Sequence, residues 1–389
     1  MNPPSGPLAG MRVVELPNIG PVQFAGMLLA DMGAEVLRLD RASDVARGSS
    51  VAGFVSPYSV IDRGRRSVGI DLKHERGAEV VLDLCERADV LLEGFRPGVA
   101  ERLGVGPEAC RTRNPRLVYA RMTGWGQTGP LSADVGHDVN YLSVAGVLWH
   151  IGPEGGAPVP PINLLADFGG GGSLVVMGIL AALVERATSG EGQVVDAAMV
   201  DGSAQLMSIF FGLDAMGGWG PRGTNILDGG AHFYNVYETS DGEYVSIASY
   251  EPKFYANLLA LIGPLGFADV DPAGQMDRSQ WPALRSRIAD LIRTRTSAQW
   301  VDFFAGHEVC FAPVLSMSQA RAHPHNVERD TFVNVDGAPQ PAPAPRFSRT
   351  PSAVQGAPVA AGTHTDTALV DWGFDPARVA ALKESGAIA

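Results

Sequence analysis

The sequence has little cysteine and no excess of basic residues, and both shortages exclude classes of protein. Its three cysteines, Cys85, Cys110 and Cys310, are too few and too scattered for a disulfide framework or a zinc site. Lysine and arginine number 30 against 42 acidic residues, which gives a formal net charge of −12. A chain of that charge is not expected to bind nucleic acid or an anionic membrane surface.

Long apolar runs and targeting signals are also lacking. The longest apolar run, residues 174–184, is interrupted by Gly178 and is too short to cross a bilayer. The first 16 residues have neither the basic segment nor the apolar core of a secretory signal. We therefore expect a soluble, cytoplasmic protein with no membrane partner. Its 389 residues suffice for two domains, each with its own core.

Strands and helices alternate through the first half of the chain. The predicted strands cover residues 11–16, 35–39, 67–72, 89–93 and 117–122, and the predicted helices cover 22–32, 74–88 and 97–103. This alternation predicts an α/β fold with a large, doubly wound, Rossmann-like parallel sheet. A nicotinamide or flavin dehydrogenase is the weaker interpretation, because the first turn has Gly20 and Gly26 but not the G-x-G-x-x-G pattern.

The second half predicts a smaller α+β domain and a return to the large one. We expect the large domain over residues 1–216, ending in a strand at 194–199 and a long helix at 200–216. A glycine-rich crossing at 217–230 leads to a small domain at 231–315. That domain begins with a hairpin closed around Asp241-Gly242 and continues in helices at 252–262, 281–295 and 297–304. Residues 316–389 form a proline-rich strap at 336–362 and a final helix at 366–385.

One stretch, residues 136–172, carries the residues best suited to proton transfer. His137 lies beside Asp138 at the start of a predicted helix, 138–149. Asp167 precedes Phe168, four glycines and a helix predicted at 173–186. A histidine and an aspartate on opposite sides of one substrate carbon would form an acid–base pair, and glycines would let a substrate approach the backbone. Alternatively, His137 could be a core or capping residue, and Asp167 a helix cap.

Two further features could take part in chemistry. Glu251, which precedes Pro252, is a third candidate acid, or else an ordinary first-turn acid of a helix. Basic side chains also gather around the predicted strand ends: Arg38, Arg41, Arg63, Arg65, Arg66, Lys73, Arg96 and Arg102. In an acidic protein such a set suggests a phosphate-bearing ligand, although a solvated rim of arginines is an equal alternative.

The sequence resembles the alpha-methylacyl-CoA racemases of the family III CoA-transferase (CaiB/BaiF) superfamily. The resemblance runs from Leu8 to about Pro351 and rests chiefly on the blocks GHDVNY and LLADFGGGG, with LAGMRVVEL, LLEGFRPGVAERLG and GQVVDAAMVDG in support. It implies an interlocked homodimer in which each active site lies where a large domain meets the partner's small domain.

The resemblance also assigns roles to residues. It implies that His137 and Asp167 flank the alpha carbon of an acyl-CoA thioester and that Glu251 orients His137. It implies CoA contacts at Arg41, Ile70, Asp71, Leu72, Lys73, Gly94, Phe95, Arg96, Arg102, Gly136, Asp138, Val139, Asn140 and Tyr141. The backbone N–H groups of Gly169 and Gly170 would stabilise the enolate oxygen. No metal or redox cofactor is implied.

Three points stay open at the level of sequence. Burial would raise the pKa of Asp167, as a general acid needs, whereas a nearby helix N-terminus would lower it. A family III CoA-transferase, with Asp167 as nucleophile, is the alternative function, and His137 is the feature that favours the racemase. A catalytically silent CoA-binding scaffold is disfavoured because His137, Asp167 and Glu251 are all intact. Residues 200–216 could line an acyl site, although core packing is the favoured use.

Overall fold

The computed structural model describes residues 5–47 and 58–389. Residues 1–4 and 48–57, which fall within the predicted large domain, lie outside the described residues. The chain divides into two compact units. The larger unit comprises Met1–Ala145, Ile162–Leu206 and Glu328–Ala389, and the smaller comprises Gly146–Pro161 and Met207–Val327.

A six-stranded parallel sheet organises the larger unit. Its strands are β1 (Arg12–Glu15), β2 (Glu35–Arg41), β3 (Arg66–Ile70), β4 (Val90–Glu93), β5 (Val118–Thr123) and β6 (Val194–Ala198). The spatial order is β3-β2-β1-β4-β5-β6, and every neighbouring pair is parallel. The predicted α/β fold with a parallel sheet is confirmed. The order reverses between β1 and β4, and folds of this kind bind ligands at such a switch point, outside the carboxyl ends of the strands.

Helices connect these strands and make up much of the rest of the chain. In chain order they are α1 (Pro21–Asp31), α2 (Ala42–Arg47), α3 (Gly77–Cys85), α4 (Val99–Arg102), α5 (Pro107–Arg113), α6 (Asp138–Val144), a π-helix (Leu164–Ser173), α7 (Leu174–Ser189), α8 (Met199–Leu206), α9 (Ser208–Ala215), α10 (Pro252–Ile262), α11 (Trp281–Ile292), α12 (Ser297–Phe304), α13 (Met317–Ala322), α14 (Pro324–Glu328), α15 (Thr365–Asp371) and α16 (Pro376–Glu384). Short 3-10 turns cover Val60–Asp62, Leu148–His150, Gly263–Leu265 and Pro272–Gly274. Several of the helices begin with proline at their first position, where its missing N–H costs nothing.

The smaller unit is built on an antiparallel sheet. β7 (Tyr234–Glu238) and β8 (Tyr244–Ala248) form the predicted hairpin, and Gly242 takes the left-handed conformation that its turn requires, with φ of 75°. β9 (Phe311–Val314), which was not predicted, pairs with β8. Helices α10 to α12 cover the sheet, and Phe233, Trp281 and Trp300 contribute to one aromatic-rich core.

Several predicted helices end earlier than expected or break into two. α6 ends at Val144 rather than at residue 149, because Gly146 adopts a φ of 80° that a helix cannot continue. The predicted helix at 200–216 is two helices, α8 and α9, separated at Met207. No residue of α9 is buried, so the favoured core-packing role of this segment is wrong for its second half. The strap at 336–362 contains a strand, since β10 (Phe332–Val335) and β11 (Ala338–Pro341) form a hairpin.

Four of the eight basic residues proposed for phosphate are instead paired with carboxylates. Arg65 donates to Glu15 and Asp62, all of them buried. Arg38 pairs with Asp40 and Asp62, Arg63 pairs with Asp31, and Arg66 pairs with Glu35 and Asp371. Buried charges need such partners, because desolvation otherwise outweighs their attraction. The phosphate assignment is therefore wrong for Arg38, Arg63, Arg65 and Arg66.

One helical stretch is longer and more apolar than the sequence analysis allowed. The π-helix runs directly into α7, and the continuous helix Leu164–Ser189 has 26 residues. Its most apolar window has a mean hydropathy of 1.7, so by length and composition alone this helix could cross a membrane. The prediction that this region is too short to do so is wrong. In the larger unit α7 packs against β5 and β6, and 39% of its most apolar window is buried. The expectation of no membrane partner stays a prediction.

Candidate active site

His137 lies at the N-terminal boundary of α6, with its side chain exposed. Its backbone N–H donates to the Oδ1 atom of Asn140 at 3.1 Å, while its carbonyl accepts from the backbone N–H of Asn140 at 2.8 Å. This reciprocal pair closes the first turn of α6. The turn therefore holds the backbone of His137 and leaves the imidazole outside the helix.

Asp167 is the fourth residue of the π-helix Leu164–Ser173. The prediction that Asp167 lies just before a helix is therefore wrong: the helix begins three residues earlier. Asn163, at the boundary of this helix, donates from Nδ2 to Oδ2 of Asp167 at 3.1 Å. π-Helices are rare and often lie at functional sites, where their wider turn re-aims a side chain.

The glycines after Asp167 allow the π-helix to pack tightly. A Cβ on Gly170 would lie 2.7 Å from the backbone nitrogen of Ser203 in α8, and a Cβ on Gly202 would lie 1.9 Å from the carbonyl oxygen of Gly170. A Cβ on Gly172 would lie 2.7 Å from the ring of Phe24 in α1. These glycines therefore bring helices together, instead of opening the backbone to a substrate as their sequence suggested.

Asp138 joins the two candidate bases. It follows His137 on α6, and its Oδ2 atom accepts the backbone N–H groups of Ala166 at 2.8 Å and Asp167 at 2.9 Å. Its side chain is 5% exposed. Because one buried carboxylate holds two free N–H groups of the π-helix, Asp167 is fixed relative to α6. The structure thus gives Asp138 a positioning role, whereas the resemblance assigned it to CoA.

The pKa of Asp167 is raised, and burial is the main cause. The hydrogen bond from Asn163 lowers the pKa, the like charge of Asp138 raises it, and the nearby His137 lowers it. The net direction is upward, so burial and the charge of Asp138 outweigh the hydrogen bond from Asn163 and the influence of His137. It favours a protonated Asp167 that can act as an acid.

The predicted oxyanion donors are internal to the helix. A π-helix bonds each N–H to the carbonyl five residues earlier, so only its first N–H groups are free. Gly169 and Gly170 are the sixth and seventh residues from Leu164, and their N–H groups lie within this ladder. Their assignment as the helix-start donors for an enolate is therefore wrong.

The four other basic residues lie toward the carboxyl ends of the strands. Arg41 ends β2, Lys73 follows β3, Arg96 follows β4, and Arg102 ends α4. All four are exposed, and none forms an ion pair within residues 5–47 and 58–389, in contrast to the four buried or paired arginines. Since β4 and β2 flank β1, Arg41 and Arg96 follow the strands on either side of β1. Unpaired cations at such an edge are suited to phosphate.

The remaining predicted CoA contacts divide by burial. Gly94 follows β4, and a Cβ there would lie 2.6 Å from a methyl group of Val22 in α1, so glycine keeps this edge close to the helix. Exposed or half-buried positions are Asp71, Leu72, Gly94, Phe95, Gly136, Val139 and Asn140. Ile70 and Tyr141 are buried, at 1% and 7% exposure, so ligand contact through their side chains is restricted.

Glu251 belongs to the smaller unit, at the N-terminal boundary of α10. Its side chain is exposed and makes no capping hydrogen bond to the described residues of that helix. The alternative role of Glu251 as an ordinary first-turn acid is not borne out, because it lies just before the first turn of α10. Its orientation of His137 stays a prediction.

Sequence patterns did not reveal Asn163 or Trp125, which also contribute to the site. Asn163 bonds to Asp167, and Trp125 packs its ring against Tyr141. A polar residue four positions before a candidate acid, on the same helical turn, was the available signal for Asn163. Across the described ranges 5–47 and 58–389, no group of three or more histidine, cysteine, aspartate or glutamate side chains could hold a metal ion.

Fold and sequence together define the class of this chain: residues 8–365 match the CoA-transferase family III, and the protein belongs to that family. Two relatives are alpha-methylacyl-CoA racemases. The mouse protein is 46% identical over 380 residues, covering 96% of each chain, and the human protein is 42% identical over 378 residues, covering 94% of each. The crystal structure of Rv3272 from Mycobacterium tuberculosis is similar in fold, with a TM-score of 0.77 and 29% identity over 94% of this chain and 99% of that one.

Proposed function

We propose that this protein is an alpha-methylacyl-CoA racemase, an isomerase that interconverts the 2R and 2S epimers of 2-methyl-branched acyl-CoA thioesters. The observation that carries the proposal is that the buried carboxylate of Asp138, which follows His137 on α6, binds the backbone N–H of Asp167, a residue whose pKa is raised. The mouse and human relatives bear the racemase name over nearly the whole chain.

The reaction is a proton transfer across one carbon. The unprotonated imidazole of His137 takes the alpha proton from one epimer and leaves an enolate. The protonated carboxyl of Asp167 delivers a proton to the opposite face, and the two residues exchange roles in the reverse direction. Holding the alpha carbon between two fixed bases converts the transfer into an intramolecular step. Because no electrons leave the substrate, the chemistry calls for no redox cofactor.

The CoA moiety would lie along the carboxyl edge of the sheet. Arg41, Lys73, Arg96 and Arg102 are exposed there and lack an acidic partner among the described residues, which supports their use for the phosphates. The same edge would be lined through the segments that follow β3, β4 and β5, by Asp71, Leu72, Gly94, Phe95, Gly136, Val139 and Asn140.

We also propose a homodimer. α9 is an apolar helix with no buried residue, and Ile209, Phe211 and the adjoining Met216 are 62%, 54% and 77% exposed. An apolar surface of this kind usually marks an interaction site, and a second copy of the chain is the commonest partner. In this dimer the resemblance brings Glu251 to His137 from the partner's small domain.

A CoA-transferase is the second candidate, and the Rv3272 relative favours it. That protein is named a probable fatty acyl-CoA transferase and is 30% identical to this chain over 351 residues. In a transferase Asp167 would attack the thioester to form an acyl anhydride and then an aspartyl-CoA thioester. Such a route has no use for His137 as a second base, and a raised pKa would leave less of Asp167 ionised as nucleophile.

Single substitutions of the two bases test the racemase. His137→Ala and Asp167→Ala should each lower kcat for racemisation by roughly 10²- to 10⁴-fold, the usual contribution of a general acid or base. The affinity for CoA should stay near that of the wild-type protein, because neither side chain is assigned to the phosphates. Steady-state kinetics and CoA titration measure the two effects. Full activity in either variant would refute the two-base assignment.

A further inference from the structure

Tyr141 lies one turn after His137 and is built into the protein interior. Its side chain is 7% exposed, and its hydroxyl donates to the carbonyl oxygen of Gly136 at 2.5 Å. Gly136 immediately precedes His137. The phenol therefore ties the peptide before the candidate base to the body of α6.

The ring of Tyr141 packs against two glycines and one aromatic side chain. A Cβ on Gly124 would lie 2.1 Å from the ring, and one on Gly136 would lie 2.7 Å from it. Trp125 packs edge-on, with ring centroids 4.8 Å apart and planes at 84°. Such a geometry is favourable for aromatic pairs. The absent side chains at Gly124 and Gly136 thus fit the ring, and its hydroxyl points to a single acceptor.

We propose that Tyr141 is a positioning residue for His137, and this inference rests on the racemase function proposed above. Its buried ring and hydroxyl fix the Gly136–His137 peptide and so set the direction from which the imidazole approaches the alpha carbon. The resemblance assigned Tyr141 to CoA, but the hydroxyl is already used within the protein. Displacing a base by about 1 Å can slow a reaction about 100-fold, so one hydrogen bond at this point has a large kinetic effect.

The test separates the two bases through alpha-proton exchange. Each enantiomer of a 2-methylacyl-CoA is incubated separately in D2O, and the initial rate of alpha-proton loss is followed by NMR. His137→Ala and Asp167→Ala serve as references, because each removes one base and should abolish exchange from a different enantiomer. The ratio of the two exchange rates then reports which base a further substitution has disturbed.

Tyr141→Phe keeps the ring and removes the bond to Gly136. We expect the exchange rate to fall about tenfold for the enantiomer that His137→Ala cannot exchange. The rate for the other enantiomer and the KM should change little, because only the His137 imidazole is displaced. Tyr119→Phe is the matched control. Tyr119 is also buried and donates from its hydroxyl to a carbonyl, that of Val105 at 2.8 Å, but it belongs to the central core. Its exchange ratio should equal that of the wild-type protein.

An unchanged ratio in Tyr141→Phe, or a shift in the direction of Asp167→Ala, would overturn the inference even if total activity fell. If circular dichroism shows that Tyr141→Phe does not fold, Trp125→Phe is used instead. This variant weakens the packing against the ring of Tyr141 and is judged by the same ratio of exchange rates. Absence of exchange in the wild-type protein would instead refute the racemase function itself. The two failures are therefore distinct.

Discussion

Asp138 acts on Asp167 in two ways, through hydrogen bonds and through charge. Its carboxylate accepts two backbone N–H groups of the π-helix, including that of Asp167. Its negative charge also raises the pKa of the Asp167 carboxyl, although burial is the larger cause. A neutral residue that keeps the acceptor separates these contributions.

Asp138→Asn should lower the pKa of Asp167 while keeping one oxygen acceptor for the two N–H groups. In the direction that uses Asp167 as the acid, kcat/KM falls as pH rises through this pKa, so the fall should move to lower pH. Asp138→Ala, which also loses both hydrogen bonds, should lower kcat further. The pH dependence of kcat/KM for each enantiomer measures the effect. A shift to higher pH would contradict the electrostatic account.

Among individual residues, the sequence predicted the candidate catalytic residues better than the residues that position them. His137 and Asp167 stand out because each lies in a distinctive block, GHDVNY or LLADFGGGG. The roles of Asp138, Tyr141 and Asn163 could not be predicted, since each depends on a hydrogen bond visible only after folding. Arg65 is paired with Glu15, 50 positions away, and local patterns do not distinguish such an arginine from the unpaired Arg41.

The π-helix is the element that the sequence concealed most. Four consecutive glycines normally argue against a helix, because glycine has a high entropic cost there. Here Gly170 and Gly202 allow the π-helix and α8 to approach more closely than side chains permit, and this contact offsets that cost. Packing of this kind depends on residues far apart in the chain, so local propensity misplaced the start of the helix. The parallel strands were predicted well because strands buried on both faces have continuous apolar runs in their sequence.

In the smaller unit, the element leading into β7 contains a buried histidine that should make stability depend on pH. Burial lowers the pKa of His232 to about 4, while its Nε2 atom lies 2.8 Å from the hydroxyl of Tyr255. Because the folded-state pKa lies below the unfolded value, the unfolded state alone takes up the proton as pH falls below about 6.5. Stability is therefore full above that pH and is lost progressively down to pH 4, by at most about 3 kcal/mol.

Urea unfolding of the wild-type protein and of His232→Gln at pH 7.5 and pH 5 measures this contribution. The wild-type protein should lose more stability between the two pH values than the variant, because all other titrating groups are common to both. An equal loss in both proteins would mean that His232 does not remain neutral in the folded state at pH 5.

The whole molecule combines an acidic chain with a cationic edge. The net charge is −12, but the charge is unevenly distributed. Four cations lie near the carboxyl ends of one sheet: Arg41, Lys73, Arg96 and Arg102. This arrangement repels polyanions in general while leaving a local site for phosphate. The parallel sheet could be expected from the alternation of strands and helices. The exposed α9 could not, because an apolar helix has the same sequence pattern whether its own core or a partner covers it.

Mixed dimers test whether each active site is shared between two chains. His137→Ala and Glu251→Ala chains, each expected to be inactive alone, are expressed together with different tags. If each site joins a large domain to the partner's small domain, every mixed dimer has one intact site, and random pairing should restore about a quarter of wild-type activity. If each site lies within one chain, no combination restores activity, and purified mixed dimers would be inactive.

The central claim is that the alpha proton of an acyl-CoA thioester is exchanged between two bases. The most direct measurement is proton NMR of a (2R)-2-methylacyl-CoA incubated with the protein in D2O, with no acceptor acid present. The account predicts loss of the alpha proton and appearance of the 2S epimer. Retention of the alpha proton, with transfer of CoA once a free carboxylate is added, would contradict it and identify Asp167 as the nucleophile of a CoA-transferase.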